Sequence, residues 1–230
     1  MSMRIAVFAS GGGSNLQALI DWFNGARASS ARVALVIADR DCGALERADR
    51  AGIERSLIQV RGADPEEIAL ATLAALEGAA IDVIALAGYL RLIPAPVVER
   101  YRGRMVNIHP ALLPAFGGPG MYGQRVHEAV LRAGVRVTGV TVHHVDEGYD
   151  EGRPIAQWPV PVYPDDSPDT LAARVLRVEH QLYPIAIERL VRQLRGAAPL
   201  PQPEFQFAAV AHDMPALDAM GAAFGLLEEE

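Results

Sequence analysis

An amide and an imidazole stand two residues apart in Val106-Asn107-Ile108-His109-Pro110, an apolar run that stops at a proline. Residues i and i+2 of a strand project to the same side of a sheet, so Asn107 and His109 aim at one point. Pro110 cannot continue a hydrogen-bonded ladder, which puts the pair at a strand's carboxyl end. Open α/β sheets bind their ligands there. An amide donor beside a group that exchanges a proton near neutral pH suits a carbonyl turning into an oxyanion. The same residues equally fit a strand end with a surface amide and a partly buried imidazole, so the rest of the chain has to decide.

The elements that would position the pair are legible as hydrophobic patterns. Residues 4–9, 33–38, 56–60 and 81–87 form apolar runs of strand length, and the near-continuous 81–87 predicts a central parallel strand covered on both faces. Between them, Leu16, Leu19, Ile20 and Phe23 recur at helical spacing, and residues 44–51 form a helix stopped by Gly52. Asp64-Pro65-Glu66-Glu67 opens another helix, with an N-cap, a proline at the first position and acids where the dipole favours them. A short helix over 96–101 leads into the Asn107 strand, and a helix over 126–133 carries His127 and Glu128. Residues 137–145 alternate as a strand with His143 and His144 on opposite faces, one packing in the sheet and the other near the site. Residues 155–162 form the last strand, where Pro159 and Pro161 mark an edge. A long helix then runs from about Thr170 to Arg195, apolar at Leu171, Val175, Val178 and Leu182 and kinked at Pro184. The pattern predicts a doubly wound, mostly parallel, Rossmann-like α/β sheet flanked by helices, with a mixed C-terminal part and a long C-terminal helix. One α/β domain is expected over 1–195, with 196–230 as a tail packing on it or trailing from it.

Four loops carry further polar chemistry. Ser10-Gly11-Gly12-Gly13-Ser14-Asn15 joins the first strand to the first helix, with Ser14 or Asn15 as the expected cap. Outward-facing N–H groups at a helix N-terminus, with glycines that admit a close approach, suit a phosphate monoester. The run is neither GxGxxG nor a Walker loop, and a plain tight turn is the alternative. Arg91, the basic residue of the 88–94 loop, is either solvated or an anchor for an anionic or planar ligand. After Pro114 the glycine-rich 115–123 segment reads as a mobile loop beside the site, and 146–152 as an acidic, glycine-broken loop. Glu179 and His180 fall in mid-helix, where a solvated face is the default.

Composition limits the function classes. The 230 residues carry a formal charge of −7, half are hydrophobic and 21% are charged. That balance argues against general nucleic-acid binding but leaves room for a locally positive pocket and an anionic small substrate. One cysteine, Cys42, excludes an internal disulfide and a cysteine-rich metal cluster. With no apolar run of membrane-spanning length and no signal-peptide pattern before the first strand, a cytoplasmic enzyme-sized protein is expected.

Four pieces together carry a family likeness: Gly11-Gly12-Gly13-Ser14-Asn15-Leu16-Gln17-Ala18; Ala87-Gly88-Tyr89-Leu90-Arg91; Asn107-Ile108-His109-Pro110 with Leu112-Leu113-Pro114; and Asp150 with Gly152 ahead of a strand. From about Met3 to Arg195 the chain resembles the folate-dependent formyltransferase family, on its phosphoribosylglycinamide formyltransferase branch. The Asn/His/Asp set is shared with methionyl-tRNA formyltransferases and formyltetrahydrofolate deformylases, whereas the Gly-Ser-Asn-Leu-Gln run favours the glycinamide ribonucleotide branch. The C-terminal barrel of the tRNA enzymes would not fit this tail, and the first strand at Arg4 leaves no place for the deformylases' N-terminal regulatory domain. The resemblance implies formyl transfer from the co-substrate 10-formyltetrahydrofolate to glycinamide ribonucleotide in purine biosynthesis, with no metal, nucleic acid or membrane, by a monomer or homodimer. It implies Asn107, His109 and Asp150 as the catalytic trio, with Asn107 and a protonated His109 facing the oxyanion. Gly13, Ser14 and Asn15 would hold the phosphate, and Glu179 the ribose hydroxyls, against the solvated-face default. Leu90, Arg91, Leu92 and Ile93, Asn107, and Asp146, Glu147, Gly148 and Tyr149 would cradle the folate. Relatives often carry Pro-Gly-Leu-His-Thr after Leu-Leu-Pro, where this chain has Pro119-Gly120-Met121-Tyr122-Gly123, so the substrate contact of that loop stays open; none is assigned to 61–67. Hydrolysis of the same formyl-folate and a non-enzymatic nucleotide-binding module are the rival readings.

Overall fold

The computed structural model describes residues 2–25, 30–146 and 148–198. Seven strands and six helices follow in the order β1 (Met3–Ala9), α1 (Ser14–Phe23), β2 (Ala31–Ala38), α2 (Gly43–Arg50), β3 (Glu54–Leu57), α3 (Pro65–Gly78), β4 (Val83–Leu86), α4 (Ala95–Arg100), β5 (Met105–His109), α5 (Gln124–Ala133), β6 (Val137–His144), β7 (Pro154–Pro161) and α6 (Pro168–Leu194). The sheet order is β3-β2-β1-β4-β5-β6-β7, parallel through β5 and antiparallel at β6 and β7. The chain therefore reverses its winding between β1 and β4, which opens a crevice at their carboxyl ends. The expected α/β architecture is the observed one, with the proline-bearing β7 at an edge.

Side-chain parity builds the layers. On β1, Ile5, Val7 and Ala9 face a core shared with α1, α2, α5 and α6, while Ala6 and Phe8 face a second core under α3 and α4. An irregularity at Ile5/Ala6 pairs Ala6 with Leu35, so β2 changes parity: Val33 joins the first core and Leu35 the second. On β5 and β6 the second face is no longer apolar. Asn107 and His109 lie opposite His143 and Thr141 there, while Val106, Ile108, Val140 and Val142 fill the first core. Loops, not helices, cover this polar patch. The buried Thr141 hydroxyl donates to the Ala111 carbonyl at 2.7 Å and accepts from the Leu113 N–H at 3.0 Å, folding 110–113 back across the sheet. Gly139 leaves room for it, since a Cβ there would meet Leu112 at 2.5 Å.

Several boundaries differ from the expected ones. β3 is Glu54–Leu57 rather than 56–60, because its neighbour β2 offers Leu35 to Ala38 as partners and the ladder ends with them. Neither Ser14 nor Asn15 caps α1: the cap is Gly13 at φ 72, ψ 34, so both residues already lie inside the first turn. α6, by contrast, runs through Pro184 to Leu194 much as expected, and the missing proline N–H removes one rung of the helix. The division expected at 195/196 falls near the limit of the described chain, and residues 199–230 lie outside it. No helix among the described residues is long and apolar enough to cross a membrane.

Tyr183 ties α6 to the crevice. Fully buried, its hydroxyl donates to the Leu86 carbonyl at the end of β4 at 2.8 Å and lies 3.2 Å from that of Val106 near the start of β5. Tyr183→Phe removes one neutral hydrogen bond and leaves the carbonyl half-served, so urea unfolding should show a loss of about 1 kcal/mol with an unchanged m-value.

Candidate active site

A cleft of about 730 Å³ opens over the carboxyl ends of β1, β4 and β5. Its floor is Asn107 to Pro110, one wall the turn Gly11 to Asn15, another Ala87 to Leu90, and α6 closes it with Glu179 and Leu176. The Ser10 N–H donates to the Gly88 carbonyl at 3.1 Å and its hydroxyl accepts from the Leu90 N–H at 3.0 Å, which joins the first two walls. Loop 118–123 and Asp150 complete the rim.

At the floor, fixed hydrogen-bond roles follow from the partners. The Phe116 carbonyl can only accept, so His109 carries its proton on Nε2 and donates to it at 2.8 Å. His109 Nδ1 then faces Asp150 Oδ2 at 3.5 Å. His143 donates from Nδ1 to the His144 carbonyl at 2.8 Å, leaving Nε2 to accept from the Asn107 amide at 3.2 Å. The same amide nitrogen lies 3.5 Å from Asp150 Oδ1. Asp150 itself is held over the pair at φ 58, with Oδ2 accepting from the Gly118 N–H at 3.0 Å. Gly152 permits this return, since a Cβ there would overlap the His144 carbonyl.

Burial dominates the electrostatics. It pushes the His109 imidazole below its ordinary range, outweighing the Asp150 charge and the Phe116 carbonyl; His143 adds to the depression. That direction favours the neutral ring in the ligand-free protein, whereas the expected imidazolium faces an oxyanion that forms only during reaction. Burial would raise Asp150, but its polar surroundings, with the His143 and His109 rings 3.6 and 3.5 Å away and the Gly118 N–H, bring it below the usual carboxylate range. Glu179 goes the other way: burial lifts it to about 7 against the Asn15 amide, which donates to it at 3.1 Å.

The structure brings Asn107, His109, Asp150, Gly13, Ser14, Asn15 and Glu179 together on the cleft, and with them Leu90 and Tyr149. Glu179 is buried rather than on a solvated face. Arg91, Leu92, Ile93, Asp146 and Gly148 do not line it, and Glu147 lies outside the described residues. Ile93 packs into the core under α4, and Arg91 donates to the buried Asp39 at 3.0 Å. Burial opposes the Asp39 charge, yet bonds from Arg40, Ser10 and Arg91 hold that carboxyl at about 2. Of the two adjacent histidines, His143 is the one at the site, and His144 lies on the other face. His127, 5% exposed, also lines the cleft and was assigned no role from sequence. Only the β5–β6 register, pairing Asn107 with His143, distinguishes the two histidines. Among the described residues no group of three or more His, Cys, Asp or Glu side chains is placed to hold a metal.

Glu179 generates a stability prediction. Its folded value lies above its unfolded value of 4.5, so the folded state prefers the protonated form. Stability from this group is intact below about 4.5, falls as pH rises, and is lost above about 7. Urea unfolding of Glu179→Gln against the parent should therefore favour the variant more at pH 8 than at pH 5.

The chain's likeness to known proteins fits this geometry. The formyl transferase family model matches residues 3–187. The chain is 43% identical over 182 residues to the chloroplastic phosphoribosylglycinamide formyltransferase of Arabidopsis thaliana, covering 78% of this chain and 62% of that plant relative's length. It is 36% identical over 189 residues to the phosphoribosylglycinamide formyltransferase of Bacillus subtilis, covering 82% of this chain and 94% of the relative. The crystal structure of the Brucella melitensis phosphoribosylglycinamide formyltransferase superposes with a TM-score of 0.76 at 41% identity, over 83% of this chain and 96% of that one. With a family match spanning most of its length and a relative covered almost whole, the chain belongs to the formyl transferase family.

Proposed function

We propose that this chain transfers the formyl group of 10-formyltetrahydrofolate to the amine of glycinamide ribonucleotide, a step of purine biosynthesis, as a cytoplasmic monomer or homodimer. The observation that carries the reading is the convergence, in one cleft, of a glycine turn at a helix N-terminus with an amide, an imidazole and a carboxylate. Backbone N–H groups of Gly13, Ser14 and Asn15 take the phosphate, aided by the α1 dipole. Glu179, anchored by Asn15, accepts from the ribose hydroxyls. A cleft of about 730 Å³ has room for drug-sized ligands. Leu90, Tyr149 and Asn107 line its folate side, while the 91–93 stretch acts through the shape of its loop.

The amine nitrogen attacks the formyl carbon, the carbonyl electron pair moves onto oxygen, and the Asn107 amide donates to the oxyanion. Its orientation is already set by His143 Nε2. Neutral His109 takes the amine proton on Nδ1, the atom facing Asp150, whose carboxylate balances the new charge. Collapse reforms the carbonyl, breaks the carbon–nitrogen bond to the folate and returns a proton to the departing nitrogen. Burial keeps the resting imidazole neutral, so it enters the reaction as an acceptor.

Folate absorbance, followed with and without glycinamide ribonucleotide, tests the reaction. Turnover only with ribonucleotide is expected; turnover without it makes the protein a formyl-folate hydrolase, and none at all leaves a nucleotide-binding module. Asn107→Ala should lower kcat by about 10²–10³, the usual effect of losing one oxyanion donor. His109→Ala and Asp150→Asn should lose turnover while keeping ribonucleotide affinity by calorimetry; normal steady-state activity in either variant removes that residue from the mechanism.

A further inference from the structure

We infer that Arg47, on α2 and outside the cleft, is a positioning residue for the phosphate-binding turn. Its Nε–H donates to the Gly12 carbonyl at 2.7 Å, and its Nη1–H donates to Gln17 Oε1 at 3.0 Å. Gln17 in turn donates to Asp21 Oδ1 at 2.8 Å, so a polar chain runs along the outer face of α1 to the turn. One turn of α2 earlier, the Ala44 N–H donates to the Gly11 carbonyl at 3.0 Å. The C=O and N–H of a trans peptide point in opposite directions. Drawing the carbonyls of Gly11 and Gly12 toward α2 therefore turns the N–H groups of Gly12 and Gly13 away from it, on the turn that walls the cleft.

Three successive glycines would otherwise leave these peptides free to rotate. Arg47 counters that freedom with a charge-assisted bond, and the contact is close: a Cβ on Gly13 would come within 2.8 Å of Ala44 Cα. Arg47 itself lines a separate hollow of about 500 Å³, shared with Gln17, Asp21 and His180. Among the described residues no lysine or arginine lines the main cleft, while Asp150, Asp169 and Glu179 do. In such surroundings an anion depends on well-aimed backbone donors, and Arg47 aims them without touching the ligand.

The inference rests on the ribonucleotide reading for the identity of the anion, so its test has two arms. Inorganic phosphate binding, read by calorimetry and thermal shift, is compared for the parent, Arg47→Ala, Arg47→Lys and Gln17→Met. Steady-state kinetics with both substrates follow for the same four proteins. Arg47→Ala should weaken phosphate binding and raise the ribonucleotide KM about tenfold or more, the fold-change of one charged hydrogen bond, while kcat and the formyl-folate KM change little. Arg47→Lys restores part of it, since an ammonium can serve the Gly12 carbonyl without the fork that also reaches Gln17. Gln17→Met shows the same effect more weakly, and decides the matter if Arg47→Ala does not fold. Unchanged phosphate affinity in Arg47→Ala, or a loss falling on kcat, overturns the inference, as does a parent that binds no phosphate. A parent that binds phosphate through Arg47 yet transfers no formyl group overturns the ribonucleotide reading and leaves the role of Arg47 standing.

Discussion

A carboxylate with 11% of its side chain exposed faces two imidazoles and an amide, and much of the polar architecture follows from keeping Asp150 charged there. An isolated carboxylate in such surroundings would take up a proton. Asp150 does not, because the Gly118 N–H and the Asn107 amide point at its two oxygens and favour its ionised form. That arrangement requires the 116–118 loop to fold over β5, the Asp150 backbone to adopt a left-handed conformation, and Gly152 to pass close beneath β6. It also requires a sheet whose second face turns polar at β5 and β6. Thr141 and Gln157 serve that end by binding the strand-end loop at Ala111 and Leu113.

The two halves of the cleft solve different electrostatic problems. In the proposed transfer, charge is created at the floor and is absorbed by groups that are neutral beforehand. Burial favours that state for His109, and Asp150 Oδ2 lies 3.5 Å from its Nδ1, where it would balance the proposed imidazolium. At the glycine turn, the proposed ribonucleotide would bring its charge with it, and peptide dipoles rather than cationic side chains would meet it. Glu179 sits between them as a buried carboxyl lifted to about 7, a group that changes state near neutrality. Tyr183, one turn further along α6, fixes the helix that carries it.

Where expectation and structure part, competing uses of a side chain explain the difference. Arg91 has a loop position suited to a ligand, but a buried Asp39 needs its charge more, and Ile93 is drawn into the core under α4. Ser14 and Asn15 are good capping residues, yet Gly13 takes the cap because only it adopts the left-handed turn cheaply, which frees Asn15 to hold Glu179. His109 has the residue type for an imidazolium, and its depth in the protein makes it neutral.

The linear chain determined the strand and helix pattern, the parallel winding, the same-face placement of Asn107 and His109, and the glycine turn, because each depends on local periodicity or backbone freedom. It could not choose between His143 and His144, since that choice is the register of an antiparallel pair formed 36 residues apart. Nor could it bury Glu179, aim Arg47 at the Gly12 carbonyl or depress the His109 ring. Those properties arise when segments distant in sequence exclude water from one another, and desolvation has no signature in the chain itself. The groups were written in the sequence; their protonation states and their directions were decided by the packing.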